Sequence, residues 1–290
     1  MDGMKRRVYG RQVYIQHRRR IGLMVLKIGG DIYKRGLSES LIADVKDFFL
    51  HGGIVIVHGG GDEVTEIAEK LGKKQVFITS PSGIRSRYTD KETIEIYMMV
   101  MAGRINKLIV QRLISCGLPA IGLSGIDGSI LRASRKKRLL IIDERGRKRI
   151  IEGGYTGKIN KVNTEVLRLL LKNGYLPVVA PIALGEENEL LNVDSDRAAA
   201  SIAGALKAES LILLTDVEGV MIDGRYVKKI SLRKAESLIS TIGFGMDKKL
   251  LASTEALKSG VKKAVITSGF VESPIKKAAN QTLGTVITLE

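Results

Sequence analysis

The stretch MVLKIGGDIYKRGLSESLIADVKDFFLHGGIVIVHGGG, residues 24–61, decides the fold. Met24–Ile28 is a short apolar run interrupted only by Lys27 and ended by Gly29-Gly30, the pattern of a buried strand. Ser38 is placed to cap a helix in which Leu41, Ile42, Val45, Phe48 and Phe49 recur at helical spacing, and Gly52-Gly53 stops it. Ile54–Val57 is a second strand that runs straight into His58-Gly59-Gly60-Gly61. Asp62–Leu71 is helical again, with Val64, Ile67, Ala68 and Leu71 on one face. Strand and helix therefore alternate, which predicts a parallel sheet with helices on both sides.

Working outward, Thr89-Asp-Lys-Glu92 has capping-box spacing and predicts a long helix toward residue 115. Short strands are expected at Ala120–Gly122, Val178–Pro181, Leu211–Leu214, Ala264–Ile266 and Thr285–Thr288. Helices are expected over Asp194–Leu206 and 246–259, and a small hairpin near Tyr226–Lys229. Leu139–Ile142 and Arg149–Ile151 flank Asp143-Glu-Arg-Gly146 and read as a β-hairpin outside the alternation. The expected fold is a three-layer αβα sandwich on a mostly parallel sheet, with this hairpin added. A lobe boundary is expected near Val179–Ala183, on a central strand serving both halves, which divides the chain into 24–180 and 181–290.

Composition agrees with that class and excludes others. Of 290 residues 44% are hydrophobic, but Trp is absent and Phe plus Tyr make up 4%, so aliphatic side chains must build the core. One cysteine, Cys116, excludes an internal disulfide framework, and with only three histidines it argues against a structural zinc site. A reducing cytoplasm is the simple reading. No apolar run approaches the roughly 20 residues of a membrane helix, and residues 1–23 lack the apolar core of a secretory signal.

The formal charge is +16, and +10 of it remains from Met24 onward, so the body is basic independently of the first 23 residues. Such an excess implies an acidic partner or substrate, or nucleic acid. Nine basic residues crowd positions 132–149: Arg132, Arg135, Lys136, Lys137, Arg138, Arg145, Arg147, Lys148 and Arg149. No aromatic residue lies between Arg132 and Lys148, so the segment offers no base-stacking platform.

Two glycine clusters on successive strand-to-helix turns point to a shared anion site, because backbone N–H groups and helix N-termini meet a ligand there. The plain alternative for either cluster alone is a tight turn. Two nucleotide motifs nearly match and fail: Gly59-x-Gly61 is followed by Val64 where the dinucleotide fingerprint needs Gly or Ala, and Gly153–Lys158 lacks the first Gly and the final Ser/Thr of a phosphate loop. Lys27, at the end of the first strand, and Lys249, at the start of a helix, are placed to neutralise a transferring phosphoryl group. Of the two acids in Asn192-Val-Asp194-Ser-Asp196, Asp194 reads as a helix cap and Asp196 as a group able to hold a lysine pair. Thr215 and Asp216 end a strand at the ligand-binding edge of the sheet.

Lys27-x-Gly-Gly30, His58-Gly-Gly-Gly61, Asn192-x-x-x-Asp196, Thr215-Asp-Val-x-Gly-Val220 and Gly245-Met-x-x-Lys249, in this order, resemble the amino acid kinase family, from Met24 to the C-terminus. Ser80-Pro-Ser-Gly-Ile-Arg-Ser-Arg87-Tyr-Thr-Asp90 and the hairpin ending in Gly153-Gly-Tyr-Thr-Gly-Lys158 resemble its LysZ branch, whose members act on substrates tethered to the acidic amino-group carrier protein LysW. That branch begins at the strand that here starts with Met24, which leaves residues 1–23 as a basic extension and Met24 as a candidate start.

The resemblance implies phosphoryl transfer from MgATP to the distal carboxylate of carrier-linked α-aminoadipate, with glutamate as a second substrate. It assigns catalysis to Lys27, Lys249 and Asp196, and substrate binding to Gly60, Gly61, Asn192 and Arg87, with Arg85 the competitor for the last role. It assigns ATP contacts to Gly29, Gly30, Thr215, Asp216 and Gly219, and no protein cage to the metal. Carrier docking falls to Arg145, Arg147, Lys148 and Arg149. It further implies a cytoplasmic homodimer with no nucleic acid or membrane partner. The alternatives are a kinase of free N-acetylglutamate and, from another class, an inactive regulatory or nucleic-acid-binding protein using the basic surface.

Overall fold

Eight strands make the central sheet: β1 (Leu23–Ile28), β2 (Gly53–His58), β3 (Ala120–Ser124), β4 (Leu176–Ala180), β5 (Ser210–Thr215), β6 (Lys229–Ser231), β7 (Lys263–Ser268) and β8 (Thr285–Thr288). They lie in the order β6-β8-β7-β5-β1-β2-β4-β3. All neighbours are parallel except β7 and β8. The computed structural model of the protein describes residues 4–8, 11–15 and 22–290. Met4–Val8 and Arg11–Ile15 pair as an antiparallel hairpin; the other residues of the expected 1–23 extension, apart from Gly22 and Leu23, lie outside the described residues.

Side chains alternate across each strand, so the sheet builds two cores. Met24, Leu26 and Ile28 of β1 join one with Phe48, Phe49, Ile54 and Ile56. Val25 joins the other with Val55, Val57 and the alanine-rich helix Ser195–Leu206. Both cores are mainly aliphatic, as the composition requires. By the same alternation Lys27 shares the Val25 face and emerges toward that helix's first turn.

Four expectations change. The strand at the supposed lobe boundary, β4, is not central: it pairs with β2 and β3, one place from the sheet edge. The strand joining the N-terminal to the C-terminal strands is β1, which pairs with both β2 and β5. Asp90, not Thr89, caps the helix at Lys91–Met98, because its Oδ1 accepts from Thr93 N at 2.8 Å while the Thr89 hydroxyl is engaged by Asn192. The helix expected to continue to residue 115 changes pitch to a π-helix over Met99–Ile105 before Asn106–Ser115. Finally, the small hairpin pairs Met221–Ile222 with Arg225–Tyr226, and Lys229 belongs to β6.

The basic hairpin forms as expected, pairing Arg138–Ile142 with Lys148–Glu152. It is not free-standing. Thr79 pairs with Ile142, joining the hairpin to Phe77–Thr79 and Arg85–Arg87 in a four-stranded sheet. Among the described residues no helix is long and apolar enough to cross a membrane.

Candidate active site

Three chain segments deliver charge to one buried point. The carboxyl end of β1 carries Lys27, the first turn of Ser195–Leu206 carries Asp196, and the first turn of Met246–Lys258 carries Lys249. Lys27 Nζ lies 2.9 Å from Asp196 Oδ1, and Lys249 Nζ lies 3.4 Å from Oδ2. Lys27 and Asp196 are only 5% and 4% exposed. Burial alone would raise the Asp196 pKa; the two lysines outweigh it and hold the carboxyl at about 2, so the aspartate is ionised at neutral pH. Asp194 has the separate task read from the sequence: it caps the helix, accepting from Arg197 N at 3.0 Å.

β1 and β2 are parallel, with Ile28 opposite His58, so the two glycine turns emerge side by side. Their backbones nearly touch, and a Cβ on Gly30 would lie 3.1 Å from Gly60 Cα. One on Gly59 would lie 3.6 Å from Lys27 Cε and 3.5 Å from Ser195 Oγ. Gly60 is constrained most: its φ is +143°, and a Cβ there would overlap the Ile105 Cδ1 methyl on the π-helical turn.

The glycine amides are not equivalent. Gly29 N donates to Leu214 O at 3.1 Å and Gly59 N to Ile28 O at 2.8 Å, extending the ladder past the strand ends. These two amides are therefore not free for phosphate, which corrects the expectation for Gly29 and Gly59. Gly30, Gly60 and Gly61 stand at helix starts, where amides have no intrahelical acceptor. His58 is a neutral scaffold residue. Burial, opposed by its bond to Gly59 O and assisted by Lys27, lowers its pKa to about 4. Its Nε2 accepts from Asn106 Nδ2 at 3.3 Å, so Nδ1 donates to Gly59 O at 3.0 Å.

A cavity of about 820 Å³ opens beside this point. Gly59, Gly60, Gly61, Asn192 and Ser195 line it, Phe77, Arg87 and Leu139–Ile141 come from the four-stranded sheet, and Ile84 comes from the turn between two of its strands. Lys27, Asp196 and Lys249 are not among its lining residues, but Gly59, where a Cβ would lie 3.6 Å from Lys27 Cε, and Ser195, which precedes Asp196, are. Arg87 is buried, with Nη2 donating to Gly61 O at 2.6 Å and to Thr65 Oγ1 at 2.8 Å, and Nη1 donating to Gln75 Oε1. Arg85 also lines the cavity but is exposed and stacks on Phe77 at 4.7 Å. Of the two arginines, only Arg87 is bonded to the glycine turn. Asn192 Nδ2 donates to Thr89 Oγ1 at 2.9 Å, which leaves its carbonyl oxygen as the group able to accept from a ligand.

The remaining candidates lie apart from the cavity. Thr215 Oγ1 donates to Asp216 Oδ1 at 2.9 Å at the end of β5. Gly219 packs on β8, where a Cβ would lie 2.7 Å from Thr285 Oγ1. Arg147 pairs with Asp143 at 3.1 Å, and the side chains of Arg145, Lys148 and Arg149 are exposed and make no ion pair with a carboxylate among the described residues. Thr65 and Gln75, which orient Arg87, were missed by sequence reading. Thr65 stands one helical turn from Gly61, whereas Gln75 carries no signal at all. Among the described residues no group of three or more His, Cys, Asp or Glu is arranged to hold a metal ion.

Residues 22–268 match the family model described as the amino acid kinase family. The chain belongs to the amino acid kinase family. A relative from Saccharolobus solfataricus, named LysW-aminoadipate/LysW-glutamate kinase, is 48% identical over 266 residues, covering 91% of this chain and 99% of that one. A relative from Cenarchaeum symbiosum, provisionally given the same name, is 55% identical over 265 residues with the same coverage of each chain. The carbamate kinase of Giardia lamblia bound to AMP-PNP superposes with a TM-score of 0.64 at 17% identity, over 92% of this chain and 98% of that one, and so shares the fold of this amino acid kinase.

Proposed function

We propose that this amino acid kinase transfers a phosphoryl group from ATP to the distal carboxylate of α-aminoadipate, or of glutamate, carried on LysW, giving an acyl phosphate. The observation that carries the reading is the pair of ammonium groups on one buried aspartate, beside two abutting glycine turns. The names of relatives at 48% and 55% identity supply the substrate.

The chemistry follows from that arrangement. A carboxylate is already ionised near neutral pH, so no general base is needed. Its oxygen attacks the γ-phosphorus in line while the bond to the bridging oxygen breaks, and ADP leaves with that electron pair. Bringing two anions together is the main difficulty, and Lys27 and Lys249 offset the charge. Asp196 holds both ammonium groups in place. The Gly30, Gly60 and Gly61 amides receive phosphate oxygens, with Gly60 and Gly61 next to the substrate. Arg87 holds the amino acid's α-carboxylate, and Asn192 accepts from the linking amide. Thr215, Asp216 and the Gly219 turn meet the nucleotide, so residues 24–180, together with Asn192, serve the substrate, and 181–290, together with Gly30, serve ATP. Mg²⁺ entering with the nucleotide would be held mainly by phosphates and water and would offset phosphate charge.

The hairpin is the docking rim for the acidic carrier. Replacing Arg147, Lys148 and Arg149 by Glu is expected to raise KM for the carrier conjugate roughly 10- to 100-fold with little change in kcat. In the unmodified enzyme that KM should rise steeply with salt. An unchanged KM, or one indifferent to ionic strength, would reject the assignment. A homodimer fits the edge strand β3, beside which the helix Asn106–Ser115 exposes Leu108 and Ile114.

The deciding experiment traps the acyl phosphate with hydroxylamine, using aminoadipyl-LysW, glutamyl-LysW and free N-acetylglutamate in parallel. Hydroxamate is expected on the carrier conjugates. Strong activity on the free acid with none on either conjugate would overturn the choice of substrate. The two conjugates differ by one methylene, worth about 1–3 kcal/mol in a pocket, so both are expected to react at different rates.

A further inference from the structure

The Gly59–Gly60 peptide sits where the two glycine turns meet. A Cβ on Gly59 would lie 3.3 Å from Gly30 N and 3.6 Å from Lys27 Cε, and one on Gly30 would lie 3.2 Å from Gly60 N. The peptide is trans, so its carbonyl and its N–H point in opposite directions. Whatever fixes Gly59 O therefore also aims Gly60 N–H. That amide donates to no described residue, whereas Gly60 O accepts from Val64 N at 3.1 Å. A peptide between two glycines turns over easily, because neither residue has a Cβ to restrict the motion. A group outside the turn must hold it.

The His58 side chain is that group. It is fully buried, and its Nδ1 lies 3.0 Å from Gly59 O. A ring nitrogen holds a carbonyl only while it carries a proton, and the partner of the other nitrogen decides where the proton sits. Here the partner is Asn106, also fully buried. Asn106 Nδ2 lies 3.0 Å from Val178 O, 3.2 Å from Leu123 O and 3.3 Å from His58 Nε2. Turning the amide round would set its oxygen against both carbonyls. An N–H group therefore faces Nε2, and the ring proton stays on Nδ1. The other tautomer would put the Nδ1 lone pair against Gly59 O. Asn106 is itself anchored, since Val178 and Leu123 belong to β4 and β3. It directly follows the π-helical turn, whose last residue, Ile105, packs against Gly60. A chain of polar contacts thus runs from the sheet through Asn106 and His58 to the Gly59–Gly60 peptide. Neither side chain lines the cavity.

We infer that His58 and Asn106 are positioning residues for phosphoryl transfer: Asn106 sets the imidazole tautomer, the Nδ1 proton pins Gly59 O, and the Gly60 amide is thereby kept aimed at the phosphoryl oxygens. The inference rests on the reading above that gives the Gly60 amide to phosphate, and it adds the groups that orient that amide.

The test compares His58→Leu with His58→Asn. Leucine fills the space but cannot donate, whereas the asparagine amide reaches about as far as Nδ1 and can still donate to Gly59 O. His58→Leu is expected to lower kcat about 10- to 100-fold, less than the outright loss of a preorganised donor, with KM for ATP and for the acceptor within about threefold. His58→Asn should recover most of kcat, although it leaves a larger void and should unfold at lower denaturant. A purely structural role makes the opposite prediction, with kcat following stability. Equal loss of kcat in both variants, or a kcat that follows the unfolding midpoint, overturns the inference. So does a His58→Leu enzyme within a few-fold of the unmodified rate. A raised KM for the acceptor at constant kcat also overturns it and gives the Gly60 amide to the substrate. A second measurement needs no variant. The chain has three histidines, so nitrogen NMR of isotope-labelled histidine in the unmodified enzyme resolves His58. It is expected as the neutral Nδ1–H tautomer at neutral pH, and the Nε2–H tautomer or an imidazolium there overturns the inference. If the unmodified enzyme forms no acyl phosphate from any acceptor while His58 holds the Nδ1 proton, it is the phosphoryl-transfer reading that falls.

Discussion

Lys27→Met is expected to lower kcat by about 10²–10³-fold, the scale of removing one preorganised group that stabilises transition-state charge. Methionine keeps most of the side chain's length and apolar stem, so the β1 end should stay packed. Asp196 would still have Lys249 at 3.4 Å, and the aspartate would not be left buried without a partner. Loss should therefore appear in kcat rather than in the unfolding midpoint. Lys249→Met should act alike, and the double variant should lose less than the product of the two, because both cations serve one charge. Asp196→Asn differs in kind: it leaves two inward-facing ammonium groups without a counter-charge and should destabilise the fold by about 3–5 kcal/mol. Steady-state kinetics with denaturant titration separates these outcomes. A Lys27→Met enzyme within a few-fold of the unmodified rate would remove the catalytic assignment.

Gly60→Ala is expected to impair both stability and activity. The added methyl meets two separate obstacles. The backbone at φ +143° is one that L residues rarely adopt, and the methyl overlaps Ile105 Cδ1. Strain and overpacking together should cost roughly 2–4 kcal/mol in chemical denaturation. Relaxation would displace the glycine turn that abuts the Gly30 backbone, and a displacement near 1 Å at a positioning element lowers kcat/KM by about 100-fold. Adding Ile105→Ala removes only the overlap. The double variant should recover part of the stability and leave the conformational part in place. A Gly60→Ala enzyme as stable as the unmodified one would show that the turn has room to adjust, contrary to the packing described.

The sheet and the lysine triad were legible for different reasons. Apolar runs ending in glycine marked β1 and β2, since a buried parallel strand admits few polar residues and a strand-to-helix turn needs backbone freedom. Asp194 and Asp196 could be assigned separate tasks because a cap and a first-turn residue stand at different positions around a helix. The four-stranded sheet over the cavity was not legible. Its pairing of Thr79 with Ile142 spans more than sixty residues, and the hairpin's sequence records only its own turn. The Thr89/Asp90 cap was misplaced because spacing identifies two adjacent candidates, and Asn192, distant in the chain, engages one of them.

From its residues alone this protein was committed to alternating strands and helices, to two glycine turns at one sheet edge, and to a basic hairpin. Each depends on interactions between near neighbours in the chain. Tertiary structure decided which amides remain free and which arginine reaches the glycine turn. Those outcomes depend on strand order and on contacts between segments far apart in sequence, and local side-chain pattern does not encode which distant partner a group will meet.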